Sequence, residues 1–337
     1  MITLISSLLV FLLVVILHEL GHFTVAKLSG IKVNEFSIGM GPKIYQKEKG
    51  ETFYSLRILP VGGYVAMEGE EENSHDPRAF NNVHIFKRMA VVLAGAFMNF
   101  VLGFLAFTII FSIVGYGSNE IDKVIENSPA MTSGLKTGDK IIKINGSPTR
   151  DIYDINSVIS KNNDKEMNFF IDRKGELLKF SIKPQFSEEN KMYLIGITSK
   201  IDHSFLKSIS LGADRTLQMS KMIIQSIKMM FSGSFKMEYL SGPVGVVQLI
   251  GSESSKGFLN FLQILGLISV NLGVFNLLPI PALDGGKFLF LLIEAIMGKP
   301  INEKIEQGLS LIGISLLFSL MIYVTIFNDI GRLFNKW

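Results

Sequence analysis

The 337-residue sequence contains no cysteine. Disulfides are therefore excluded, and so is a thiolate metal site, which leaves histidine and carboxylate side chains to hold any metal. Histidine is itself scarce, at five residues. An excess of one charge is lacking too: 33 Lys and Arg against 30 Asp and Glu leave a net +3 with no dense basic run, so nothing points to nucleic acid as a partner. No positively charged stretch precedes the first apolar run and no small-x-small site closes it. That run is expected to remain as a membrane span rather than be removed as a signal peptide. Internal repeats are also missing, which weighs against a transporter.

Apolar sequence is what the chain has in excess. Its hydrophobic content of 48% and mean hydropathy of +0.36 are high for a soluble protein. Residues 2–25, 85–116, 258–278 and 309–327 are long enough to cross a bilayer, which predicts four spans. Residues 288–297 are too short to cross and are expected at the interface. Between the second and third spans the composition turns soluble. Short β-type runs around Val124, Ile142, Phe170 and Phe180 are separated by the turn pairs Ser128-Pro129, Gly138-Asp139, Asn145-Gly146 and Lys174-Gly175, with a helical piece over 152–160. Phe205–Phe231 reads as an amphipathic helix lying on the membrane or on the protein. Ser241 to Gly245 reads as a turn-rich link. The chain divides accordingly into 1–117, 118–200, 201–257 and 258–337.

Within the first span stands His18-Glu19-Leu20-Gly21-His22. Residues four apart share one helical face, so both imidazoles can reach one metal while Glu19 stays beside it, the spacing of a zinc hydrolase. An uncharged run leads into the motif, and ionisable groups at membrane depth cost several kcal/mol, so an accidental cluster would be destabilising. A zinc hydrolase takes three protein ligands and leaves a fourth position to water. Lys27, Lys32, Lys43, Lys47, Lys49, Arg57 and Arg88 make the segment after the first span basic, which places it in the cytoplasm and the amino terminus outside. Four spans then put residues 118–200 outside, Asp284 inside and Trp337 outside. Asp284 thus falls at the depth of His18 and His22 and is the third ligand to name, with Glu294, Asp329, His75 and His84 as alternatives. Pro279 and Pro281 break the third span and are expected to leave Asp284 in irregular backbone. Gly95, Asn99 and Gly103, at four-residue intervals, suit close helix packing, with Asn99 as interhelical glue. Residues 31–72 alternate like a hairpin turning at Lys49-Gly50, with Gly39, Gly41, Gly62 and Gly63 at its ends, and pattern alone reads it as an ordinary connection.

The stretch from Ser128-Pro129-Ala130 through Gly138-Asp139 to Asn145-Gly146 resembles a single bacterial PDZ domain, a module that captures extended peptides. With the His-Glu-x-x-His motif in a first span and Asn276-Leu277-Leu278-Pro279-Ile280-Pro281-Ala282-Leu283-Asp284-Gly285, the whole chain resembles the bacterial site-2 proteases of peptidase family M50, the group containing the regulator of sigma-E protease. Leu59-Pro60-Val61-Gly62-Gly63-Tyr64 and Ser241-Gly242-Pro243 belong to the same resemblance. It implies a polytopic α-helical membrane protein with four transmembrane helices, a membrane-associated β-hairpin and one extracytoplasmic PDZ domain of α+β type. It implies a Zn2+ enzyme of the bacterial cytoplasmic membrane that cuts membrane proteins with a single transmembrane helix, such as anti-sigma factors or signal-peptide remnants. His18, His22 and Asp284 would be its ligands, Glu19 its acid/base, and Asn276, Pro279 and Pro281 its substrate contacts. The hairpin would re-enter the membrane and hold substrate as a strand, reversing the ordinary reading. A peptide or protein would bind the PDZ domain, and the lipid bilayer is a further partner. The best-known member has two PDZ domains, and this chain shows one. A membrane zinc transporter and a catalytically silent PDZ scaffold are the other classes considered. Neither the oxyanion donors nor the partners of the two imidazoles are assigned by sequence.

Overall fold

The computed structural model describes residues 2–70, 72, 74–188, 191–232 and 240–331. The expected placement of Trp337 lies outside the described residues. In chain order the elements are α1 (Ile2–Leu28), β1 (Val33–Lys49), β2 (Thr52–Met67), α2 (Ile85–Val114), β3 (Tyr116–Val124), α3 (Pro129–Thr132), β4 (Lys140–Ile144), β5 (Ser147–Pro148), α4 (Ile152–Asn162), β6 (Met167–Arg173) and β7 (Glu176–Ile182). They continue as β8 (Gln185–Ser187), β9 (Met192–Leu194), β10 (Ile197–Asp202), α5 (Phe205–Phe231), α6 (Pro243–Ser254), α7 (Phe258–Asn276), α8 (Asp284–Met297) and α9 (Glu303–Val324). Among the described residues, four helices are long and apolar enough to cross a membrane: Ile2–Leu28, Ile85–Val114, Phe258–Asn276 and Lys304–Ile330. The chain forms two compact units, Met1–Thr108 with Leu211–Trp337, and Ile109–Ser210.

In the first unit, α1 ends at Gly30, whose φ of +78° lets Ile31 N–H return 2.9 Å to the Ala26 carbonyl, a closure that a Cβ would strain. Small residues bring the long helices together. A Cβ on Gly21 would lie 2.4 Å from the Ala94 carbonyl oxygen, and one on Gly103 would lie 2.4 Å from Val270. Without hydrophobic drive in lipid, such close backbone approach is what holds membrane helices together. The ends of α1, β1, β2, α2 and α8 share a core of Ala26, Ile31, Val33, Met67, Phe80, Met89, Val91 and Leu291. The Ser241–Gly245 region corrects the sequence expectation, because Pro243 opens helix α6 instead of a turn. Proline suits a first helical position, and the buried Asp329 accepts from the N–H groups of Gly242 at 3.0 Å and Gly245 at 2.9 Å. A carboxylate more than 80 positions away thus stabilises this helix start.

The hairpin curls into more than a two-strand ribbon. Residues 33–38 run antiparallel to 63–67, residues 43–49 run antiparallel to 52–57, and the backbone folds over so that 35–38 also face 53–56 in a parallel register. Gly39, Gly41 and Gly62, at φ of +86°, +85° and +82°, make the bends. Arg57 stitches the layers, donating to Glu35 at 2.8 Å, to Ser37 Oγ at 2.9 Å, to the Gly41 carbonyl at 2.7 Å and to the Tyr64 hydroxyl.

The second unit is a sheet in the order β10-β3-β4-β6-β7, with β5 paired to β4. Alternation along β6 sends Met167, Phe169 and Ile171 into a core with Ile121, Ile141, Ile144, Ile155, Ile159 and Ile182. Asn145-Gly146 and Lys174-Gly175 adopt left-handed φ throughout, as the tight two-residue turns read in the sequence require. Asp139, 1% exposed, is held by Arg173 at 2.7 Å and by the Lys136 N–H at 2.8 Å.

Candidate metal centre

The helix α1 places His18 and His22 one turn apart, and their Nε2 atoms lie 3.2 Å from each other. Asp284 Oδ2 lies 3.4 Å from His18 Nε2 and 3.6 Å from His22 Nε2. Bonds of about 2.0–2.1 Å to a tetrahedral zinc separate neighbouring ligand atoms by about 3.3 Å, so the triangle matches three corners of such a site. Asp284 Oδ2 is buried with no hydrogen bond, as expected of an atom whose partner is a cation. These three residues are the one cluster of such geometry among the described residues. The donor set therefore fits zinc, with one corner left for water.

Each imidazole is turned by a contact from α2. His22 Nδ1 lies 2.8 Å from the Val91 carbonyl, and His18 Nδ1 lies 3.1 Å from the Asn99 amide. Between these two residues sits Gly95, where a Cβ would come within 2.2 Å of His22 Nε2 and 2.7 Å of His18 Cε1. Val91, Gly95 and Asn99 form one stripe of α2, at the interval read in the sequence as helix packing. That reading holds for Gly103 and for Asn99, whose amide bridges to the His18 imidazole of α1 and whose carbonyl accepts from Ser269 of α7.

Asp284 is the first residue of α8, which corrects the expectation of irregular backbone at this position. Gly285 and Gly286 permit this, since a Cβ on either would lie 2.3 Å from the carbonyl oxygens of Leu278 and Ile280, and the loop closes directly onto the helix start. A carboxylate at a helix N-terminus is also favoured by the helix dipole. Asn276 Nδ2 lies 3.5 Å from both ring nitrogens of His18. Pro279 is exposed, and the Pro281 carbonyl packs on Gly313, where a Cβ would come within 2.0 Å of it; neither joins the His18–His22–Asp284 triangle. Glu19 is half-buried against the outer strand of the hairpin, with its Cγ 3.3 Å from the Cβ position of Gly63. The alternatives are engaged elsewhere: Glu294 pairs with Arg88 at 2.7 Å and Asp329 caps α6. His75 and His84 lie outside the cluster.

Polar space adjoins the triangle. A cavity of about 360 Å³ is lined by Asp284, Lys287, Phe290, Glu306 and Ser310, and the last four also line a larger one of about 840 Å³. Lys287 pairs with Glu70 at 2.6 Å where they meet.

The family model for Peptidase family M50 matches residues 6–320. The chain belongs to peptidase family M50. A Clostridium acetobutylicum protein named as a zinc metalloprotease is 40% identical over 322 residues, covering 95% of both chains. The regulator of sigma-W protease RasP of Bacillus subtilis is 32% identical, covering 98% of this chain and 99% of its own. The zinc metalloprotease RasP of Bacillus licheniformis is 31% identical with the same coverage. This M50 peptidase is accordingly a zinc metalloprotease, with the apolar helices of a multi-pass membrane protein. The PDZ domain of an SdrC-like protein from Listeria monocytogenes covers 26% of this chain and 90% of its own at 21% identity, with a TM-score of 0.23, too low to argue from.

Proposed function

We propose that this M50 peptidase is an intramembrane endopeptidase in which His18, His22 and Asp284 hold the zinc and Glu19 is the acid/base. The observation that carries the reading is the triangle of 3.2, 3.4 and 3.6 Å built at the level of Glu19 and the hairpin's outer strand. Held by His18, His22 and Asp284, zinc would supply Lewis acidity to polarise a carbonyl and lower the pKa of water to about 7. Glu19 takes a proton from the attacking water and hands it to the leaving amine as the C–N bond breaks. Asn276, whose amide lies beside the ligating face of His18, donates to the scissile carbonyl oxygen. The cavity bordering Asp284 brings water to a site whose surroundings hold little.

A transmembrane substrate hides its carbonyls in helical hydrogen bonds, and freeing one in lipid costs several kcal/mol. The strand 63–67 offers replacement bonds to an unwound segment and lays it beside Glu19. The basic segment after α1 supports an active site toward the cytoplasmic side, with the amino terminus and residues 118–200 outside a bacterial cytoplasmic membrane. Residues 118–200 act as the single PDZ domain: among the described residues β10 pairs with β3 alone and leaves an edge on which a peptide can add. The substrates are membrane proteins with one transmembrane helix, in regulated intramembrane proteolysis of the anti-sigma-factor or signal-peptide-remnant kind.

The test is cleavage of a single-span substrate by purified protein in detergent, with bound zinc measured alongside. Wild type should cut and Glu19→Gln should keep zinc without cutting. Equal cleavage by both proteins would sink the assignment of Glu19.

A further inference from the structure

A buried Nδ1–H needs an acceptor. An imidazole that ligates through Nε2 carries its proton on Nδ1, and leaving that donor unpaired in the interior is unfavourable. The two imidazoles meet this need differently. His22 Nδ1 reaches the backbone carbonyl of Val91 at 2.8 Å, an approach open because Gly95 has no side chain. For His18, two groups of α2 are near, the Asn99 side chain at 3.1 Å from Nδ1 and the Gly95 backbone carbonyl, and only the first can be removed by substitution.

Asn99 is built for one task. It is 0% exposed in the middle of an apolar helix, where an amide without a partner is costly. Its Cβ lies 3.3 Å from the Cβ position of Gly273, which leaves no room for a branched neighbour there. Its backbone carbonyl accepts from Ser269 Oγ at 2.8 Å, tying α7 to α2. Its Oδ1 is buried with no partner. A half-turn of a carboxamide exchanges oxygen and nitrogen with almost no change of shape. With His18 Nε2 on a metal, Nδ1 is the donor, and the half-turn brings the idle Oδ1 onto it. Asn276 is a weaker candidate, since its amide sits at 3.5 Å from both ring nitrogens and is only half-buried.

We propose that Asn99 is the positioning residue of His18: its amide oxygen accepts from Nδ1–H and so holds the imidazole in the tautomer and orientation that present Nε2 to zinc. This rests on the ligand set proposed above. Partners of this kind orient a ligand and raise its basicity, and losing one typically costs roughly 10–100-fold in metal affinity.

The experiment measures zinc affinity of the full chain by chelator competition, the cobalt(II) absorption spectrum, and the melting of the zinc-free protein. Asn99→Leu fills the same volume without an acceptor and should weaken zinc roughly 10–100-fold, with a changed cobalt spectrum and unchanged zinc-free melting. Asn99→Asp keeps an acceptor and should bind zinc close to wild type. Ser269→Ala cuts the helix tether while leaving the amide in place, and should also bind close to wild type. Wild-type affinity in Asn99→Leu would overturn the proposal, as would equal losses in Asn99→Leu and Ser269→Ala, which would mark a packing effect. His22→Ala separates the two levels of the argument. Zinc retained by His22→Ala would refute the ligand set itself, whereas zinc lost there but kept in Asn99→Leu would refute Asn99 alone.

Discussion

Replacing Gly95 with alanine should empty the metal site while making helix α2 intrinsically more stable. Alanine is favoured over glycine in a helix interior by about 1 kcal/mol, so propensity alone predicts a gain. The added methyl would sit 2.2 Å from His22 Nε2 and 2.7 Å from His18 Cε1. Ordinary contact needs about 3.5 Å, so both rings must retreat, His22 by roughly 1 Å or more. Zinc sites tolerate ligand displacements of about 0.2 Å, and the ring is also tethered through Val91, so the triangle opens. Gly308 supplies the control, being a helical glycine of α9 with open space around its Cβ position. Gly308→Ala should leave zinc and cleavage unchanged. Gly95→Ala should lose most bound zinc by elemental analysis and nearly all cleavage, with zinc-free melting at or above wild type. Full zinc content in Gly95→Ala would refute the claim that the absence of a side chain at residue 95 sets the room for both imidazoles.

Asp284→Ala should lose bound zinc, and normal metal content in it would place the third ligand elsewhere. Arg57→Ala should reduce substrate cleavage severalfold without loss of zinc, because it unties Glu35, Ser37 and the Gly41 carbonyl and so loosens the strand beside Glu19; unchanged turnover would separate the hairpin from substrate binding. Arg173→Ala should destabilise the second unit by about 2 kcal/mol, read as faster hydrogen exchange in β4 and β6, since it removes a charged partner from the buried Asp139. Burial alone would raise the Asp139 carboxyl, but Arg173 and the Lys136 N–H outweigh it and hold it below the usual range. That contribution is therefore present above the unfolded value of about 3.9 and is lost as pH falls through the lower folded one, so wild type should lose it progressively below about pH 3.9, and Arg173→Ala should lack this acid-sensitive step by circular dichroism.

Local chemistry made much of this protein readable from its residues. Hydropathy depends on composition over a window, so the long apolar helices and the soluble stretch between them stand out directly. The pairing of His18 with His22 follows from helical periodicity, and the turns at Asn145-Gly146 and Lys174-Gly175 follow from residues that tolerate positive φ. Asp284 could be named because a zinc hydrolase without cysteine needs a third ligand, yet its place on a helix start depends on two glycines meeting the carbonyls of Leu278 and Ile280. The Pro243 helix needed an acceptor from Asp329, and the curl of the hairpin needed Arg57 to bridge its layers. Asn99 shows the limit most sharply. Spacing places it on one face of α2 but does not say whether that face meets another helix's backbone or an imidazole, because this depends on which helices lie alongside. Periodicity sets the face a residue occupies; the packing of helices distant in the chain sets what that face touches, and the chemistry of the centre lies in the second.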